Sequence, residues 1–117
     1  MLYKFEKVVD GLTRYIDSEV ITGMNDFQEF IARIAIGRVI NNEKTIKDAL
    51  ANNGIIRTFG FIDSDGMVDV DVLMRDIKSA MNKRGKLDIT IPMFGKMTFH
   101  PEDVDVIHRY IQAEGQS

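Results

Sequence analysis

The sequence predicts an α+β fold: three N-terminal helices followed by two β-hairpin-plus-helix (ββα) units, in a single domain over 1–117. Two observations carry this reading. Asp69-Val70-Asp71-Val72-Leu73-Met74-Arg75-Asp76-Ile77 matches Asp103-Val104-Asp105-Val106-Ile107-His108-Arg109-Tyr110-Ile111 at six of nine positions, and each copy follows a turn-punctuated apolar run and opens a helical pattern. Before residue 55 the apolar residues instead recur at spacings of three and four, the period of a helix. The chain therefore divides into a helical part, 2–54, and tandem ββα units, 55–113.

Leu2, Phe5, Val9, Leu12 and Ile16 form a narrow stripe on a first helix over about 2–19. Such a stripe packs within the domain or pairs with another subunit, which makes Phe5, Leu12 and Ile16 a candidate subunit seam. Gly11 weakens the helix, since an interior glycine costs about 1 kcal/mol relative to alanine. Thr22-Gly23 breaks the pattern, and Asn25 or Asp26 caps a second helix near 26–41. That helix is apolar on most sides (Phe27, Phe30, Ile31, Ile34, Ala35, Ile36, Val39, Ile40), the composition of a central, buried element. Gly37 inside it reads as a point of close approach by a neighbour. Asn41-Asn42 ends the second helix and caps a third, with Ile46, Ala49 and Leu50 inward, closed by Asn53-Gly54.

The first ββα unit starts with a strand over Ile55 to Ile62, turns at Asp63-Ser64-Asp65-Gly66 and returns at Met67-Val68. Asp69 caps its helix, which presents Val70, Leu73, Ile77 and Ala80 or Met81 inward and ends at Lys83-Arg84-Gly85-Lys86. In the second unit Leu87, Ile89 and Ile91 alternate with Asp88 and Thr90. Met93-Phe94-Gly95-Lys96 turns the chain, Met97-Thr98-Phe99 returns, and Pro101 with Glu102 and Asp103 begins a helix burying Val104, Ile107 and Ile111. Gly115-Gln116-Ser117 frays.

Composition removes whole function classes. With no cysteine there is no disulfide, thiolate catalysis or cysteine zinc site. A net charge of -3 gives no general attraction to nucleic acid or anionic membranes. The most apolar segment, Phe27 to Ile40, carries Glu29, Arg33 and Arg38 and is shorter than the roughly 20 residues of a bilayer span. The N-terminus lacks the unbroken apolar stretch of a signal peptide, so the expected location is cytoplasmic.

No catalytic, cofactor or metal motif stands out. Asp63, Asp65, Asp69 and Asp71 suggest a calcium loop, but in EF-hand register the first ligand and the terminal glutamate fall on Phe61 and Val72. His100 and His108 lack the i, i+4 spacing that places two imidazoles on one metal. Glycines show no phosphate-loop spacing. The expectation is a non-enzyme with no metal and no cofactor.

Two surfaces remain. Pro92-Met93-Phe94-Gly95 forms an apolar hairpin tip, so Met93 and Phe94, with Lys96 beside them, are candidate contacts for a protein partner. Lys83, Arg84 and Lys86, with Lys78 and Arg57 nearby, offer an alternative contact to a nucleic-acid backbone. The dipole at a helix C-terminus explains the same cations.

The blocks RIAIGRVINN (33–42), RTFGFIDSDGMVDVD (57–71) and IPMFGKMTFHPEDVD (91–105) resemble small proteins encoded by phages and prophages of Gram-positive bacteria. The resemblance runs over most of the chain and carries no motif with an assigned role, so it transfers no functional residue. It implies a virion component, an assembly factor or a binder of a host protein. The leading expectation is a small non-enzymatic protein-interaction module, self-associating or binding one partner, located in the host cytoplasm or in the virion.

Overall fold

Tyr3 is buried on Val68, and that contact sets where the chain begins its architecture. The structure, a computed structural model, describes residues 2–54 and 62–115. Leu2–Lys4 forms strand β1, and α1 (Phe5–Tyr15) follows directly, continuing into a π-helical turn over Ile16–Val20. Next come α2 (Asp26–Ile40), α3 (Glu43–Asn52), β2 (Met67–Asp69), α4 (Val70–Arg84), β3 (Leu87–Ile91), β4 (Gly95–Phe99) and α5 (Pro101–Gly115).

The α+β class is as expected, but the order of elements is not. The predicted first helix loses residues 2–4 to β1, which pairs antiparallel with β2 in the register Leu2↔Asp69, Tyr3↔Val68, Lys4↔Met67. Only the strand conformation turns Tyr3 inward while leaving Leu2 and Lys4 outward. The first ββα unit is corrected with it, because β2 spends its pairing on the N-terminus. The strand expected over 55–62 lies outside the described residues except for Ile62, which makes an isolated bridge to Val68. Asp63 still builds the tight turn, its Oδ1 accepting from the Asp65 and Met67 amides at 2.9 Å each. The second unit has the predicted order, with Leu87↔Phe99 through Ile91↔Gly95 paired antiparallel. The two hairpin-like pairs form separate two-stranded sheets.

The repeated segment opens α4 and α5 with a small offset. Asp69 is the N-cap of α4, its carboxylate accepting from the Val72 amide. Asp103 lies within the first turn of α5 and accepts from the His100 amide at 2.8 Å. Both copies bury the same apolar positions: Val70 and Ile77, Val104 and Ile111. Gly85, at φ 79°, ends α4 in the left-handed conformation that favours glycine.

The core is two joined clusters. Tyr3, Val8, Leu50, Val68, Val70, Leu73, Met74, Ile77, Met81, Leu87, Val104 and Ile111 form one. Tyr15, Ile16, Ile21, Ala32, Ala35, Ile36, Val39 and Ile91 form the other, and Ile89, Phe99 and Ile107 pack against both. Where they meet lies an apolar cavity of about 140 Å³, with Phe5, Leu12 and Ile16 among its walls. The candidate subunit seam therefore faces the chain's own core.

At Gly11 α1 meets the backbone of α5. A Cβ there would stand 2.6 Å from the Ile111 Cα and 2.9 Å from its backbone nitrogen, so the helix accepts the weak helix former to bring the two axes together. Gly37 is different from expectation, for among the described residues a Cβ there would meet nothing nearer than Asn41 Nδ2 at 4.0 Å. Asn53, expected only as a helix stop, fastens α3 to β3. Its amide donates to the Ala49 and Asp88 carbonyls at 2.8 Å each, and its Oδ1 accepts from the Asp88 amide.

Two expected outcomes follow from this packing. Gly11→Ala lowers stability by about 1–3 kcal/mol in urea denaturation, because overpacking against backbone outweighs the gain in helix propensity. Burial, with Asp103, Glu19 and Tyr110 adding to it, pushes the Tyr15 hydroxyl from 10.0 up to about 12. A raised folded-state value means the neutral phenol stabilises the fold fully below pH 10 and progressively less as pH rises towards 12. Tyr15→Phe removes that alkaline component of the stability profile; a profile identical to wild type between those values contradicts it.

Candidate functional site

Helix α2 is well started: the Asn25 side chain accepts from the Gln28 amide at 2.8 Å while Gln28 Oε1 accepts from the Asn25 amide, a reciprocal capping box. The helix is not central, as its composition suggested. It buries Ala32, Ala35, Ile36 and Val39 and turns both phenylalanines and Ile34 out, leaving Phe27 74%, Phe30 60% and Ile34 37% exposed. The two alanines let α2 lie close against the second cluster, and Ile36 and Val39 fill it beside them. A helix that is apolar all round does not state which face goes inward; here it is the face that carries both alanines.

Phe27, Phe30, Ile34 and Gly37 follow one another at spacings of three, four and three, one continuous face of α2. Ile31, half-buried and in neither core cluster, edges it on one side. Arg33 edges it on the other, held by Asp17 at 2.6 Å and Glu29 at 2.8 Å. Those hydrogen bonds, Glu29 first, raise the guanidinium's pKa further. Asp17 reaches Arg33 from the π-helical turn, in which the Ile21 amide donates to the Ile16 carbonyl. Two exposed phenylalanines on one face form the kind of apolar patch that marks an interaction surface.

The predicted hairpin tip is divided by the structure. Phe94 folds back and packs against the second cluster, which withdraws it from the tip. Met93 projects, 70% exposed, with φ 72°, a left-handed conformation rare for a side chain of its kind. The Phe94 amide donates to the Ile91 carbonyl, and Pro92 precedes Met93, so the tip is a β-turn of type II pattern. Lys96 leans back along the hairpin, 4.0 Å from Asp88.

The alternative basic contact is broken up by local carboxylates. Lys83, Arg84 and Lys86 are exposed where α4 ends, but Lys86 lies 3.5 Å from Asp88 and Lys78 donates to Asp105 at 2.9 Å. Asp88 is held below the usual carboxylate range by the Thr98 hydroxyl first and by Lys86 and Lys96. Arg57 lies outside the described residues.

The acidic cluster is distributed over structural tasks. Asp63 builds its turn, Asp69 caps α4, and Asp71 meets His108 Nε2 at 3.0 Å across the α4–α5 contact. Among the described residues, no group of three or more histidines and carboxylates is arranged to hold a metal ion. No helix of the described residues is long and apolar enough to cross a membrane.

The α2 face was missed by composition-based reasoning. Its signal was present: Ala32 and Ala35 on one side, Phe27, Phe30 and Ile34 on the other. Comparison with protein families, curated proteins and solved structures finds no match to this chain.

The tip yields a direct test. Met93→Gly stabilises the fold by about 0.5–1 kcal/mol, since relief of left-handed strain exceeds the entropy gained by the unfolded chain, whereas Met93→Ala keeps a Cβ and gains nothing. Chemical denaturation of both variants measures the difference.

Proposed function

We propose that this protein is a small non-enzymatic protein-interaction module that docks through the outer face of α2. The observation that carries the reading is the exposed run of Phe27, Phe30 and Ile34 on a helix whose opposite face is anchored in the core. Aromatic side chains on a rigid helix supply contact area at low entropic cost, the usual composition of an interface anchor. Met93, held outward on its strained turn, is a second and smaller apolar contact. The resemblance to phage and prophage proteins supports a virion component, an assembly factor or a binder of a host protein as the setting.

The test compares wild type with Phe30→Asp and Met93→Asp, each checked for native circular dichroism, in a pull-down from a Gram-positive bacterial lysate and from cells producing phage. A protein retained by wild type and lost with Phe30→Asp is the expected result. Retention of the same proteins by Phe30→Asp as by wild type would show that α2 is not the docking face.

A further inference from the structure

The α2 face carries its own complement. Its first half bears two large aromatic side chains, Phe27 and Phe30, and its second half bears Ile34 and then Gly37, which has no side chain. An interior helical glycine costs about 1 kcal/mol relative to alanine, and such a residue usually admits a close neighbour. Among the described residues no neighbour fills that place: the nearest atom to a Cβ built on Gly37 is Asn41 Nδ2 at 4.0 Å, which donates to the Gly37 carbonyl. Gly37 lies in line with Phe27, Phe30 and Ile34, so the neighbour it would admit approaches from outside.

We propose that the occupant of this face is a second copy of the chain, bound by an antiparallel, two-fold symmetric pairing of α2 with α2. With the helices centred between Phe30 and Ile34, Phe30 of each copy lies level with Ile34 of the other. Phe27 of each then lies level with Gly37 of the other, and the aromatic ring fills the gap that the glycine leaves. A parallel pairing fails on the same residues: it stacks phenylalanines at one end and leaves glycine opposite glycine at the other. Charge does not choose between the two: in the antiparallel pairing Arg33 of one copy lies beside Arg33 of the other, each held by Asp17 and Glu29 of its own chain. On the opposite edge, Ile31 meets Ile31 near the two-fold axis. A symmetric interface of this kind uses the same patch twice, which suits a face whose bulk and space are separated along one helix.

This inference rests on α2 being the docking face and names what docks there. The experiment measures mass by light scattering across a concentration series, together with cross-linking of single-cysteine variants in this cysteine-free chain. Wild type is expected to associate to a dimer, and folded Phe30→Asp to lose association by about thirtyfold or more, the scale of a buried aromatic anchor. Gly37→Ala separates the dimer from ordinary folding: it raises the melting temperature of the monomer through helix propensity while weakening association about tenfold by closing the Phe27 site. Ile31→Cys forms a disulfide-linked dimer and Asn41→Cys does not, because only residues near the two-fold axis meet their own counterparts.

Wild type that stays monomeric over the series overturns the proposal, as does Gly37→Ala with unchanged association. Equal cross-linking by Ile31→Cys and Asn41→Cys overturns the antiparallel arrangement. A monomer that still captures another protein through Phe30 leaves the docking reading standing and removes self-association alone; one that captures nothing removes both.

Discussion

The crossing of α1 over α5 at Gly11 and Ile111 is the constraint on which the rest of the fold depends. Ile111 is fully buried, and the absence of a side chain at Gly11 lets the backbones meet with no room to spare. That contact joins the two ends of the described chain and holds Val8, Leu12 and Tyr15 against the body of the core. It also brings Arg14 to Glu114, and the Tyr110 hydroxyl donates to Glu19 at 3.2 Å. With the N-terminal helix fixed in this way, β1 can reach β2, and the π-helical turn after Tyr15 can carry Ile16 and Ile21 into the second cluster. The tolerance is small because packed interiors do not yield to an added methyl group against backbone.

Around that crossing the polar groups act as fasteners. Asn53 ties α3 to β3, Lys78–Asp105 and His108–Asp71 tie α4 to α5, and Arg33 ties α2 to the π-helical turn. Asp63 and Asp69 serve a turn and a cap. The acidic side chains that a sequence motif search would collect into one cation site are thus separated by the fold into unrelated local roles. Partly exposed ion pairs of this type contribute little stability individually.

What the fold leaves unsatisfied is apolar, and it is concentrated on α2. The inward face of that helix takes Ala32, Ala35, Ile36 and Val39, so both phenylalanines are displayed on a rigid, well-capped element. The strained Met93 turn adds a second display at the far end of the β3–β4 hairpin. Both features cost the monomer something: exposed aromatic area in one case and a left-handed backbone in the other. Both costs fall on the surfaces proposed for docking.

Local chemistry was legible in the sequence. The helical periods after the first helix, the caps at Asn25, Asn42 and Asp69, the stop at Gly85 and the β3–β4 hairpin all depend on residues within a few positions of one another, and each stands where the spacing put it. The Met93 tip was legible for the same reason, since its turn is written in four consecutive residues. Four things were decided by tertiary structure alone. Residues 2–4 form a strand because their partner lies far along the chain at Met67–Asp69, and no local pattern announces a distant edge. The stripe of Phe5, Leu12 and Ile16 faces inward because α5 covers it. Phe94 turns back because the second cluster lies within its reach. Finally, α2 shows its phenylalanines to the outside because a helix apolar on every side has no preferred face until a neighbour fills one of them, and here the alanine side was the one that fitted.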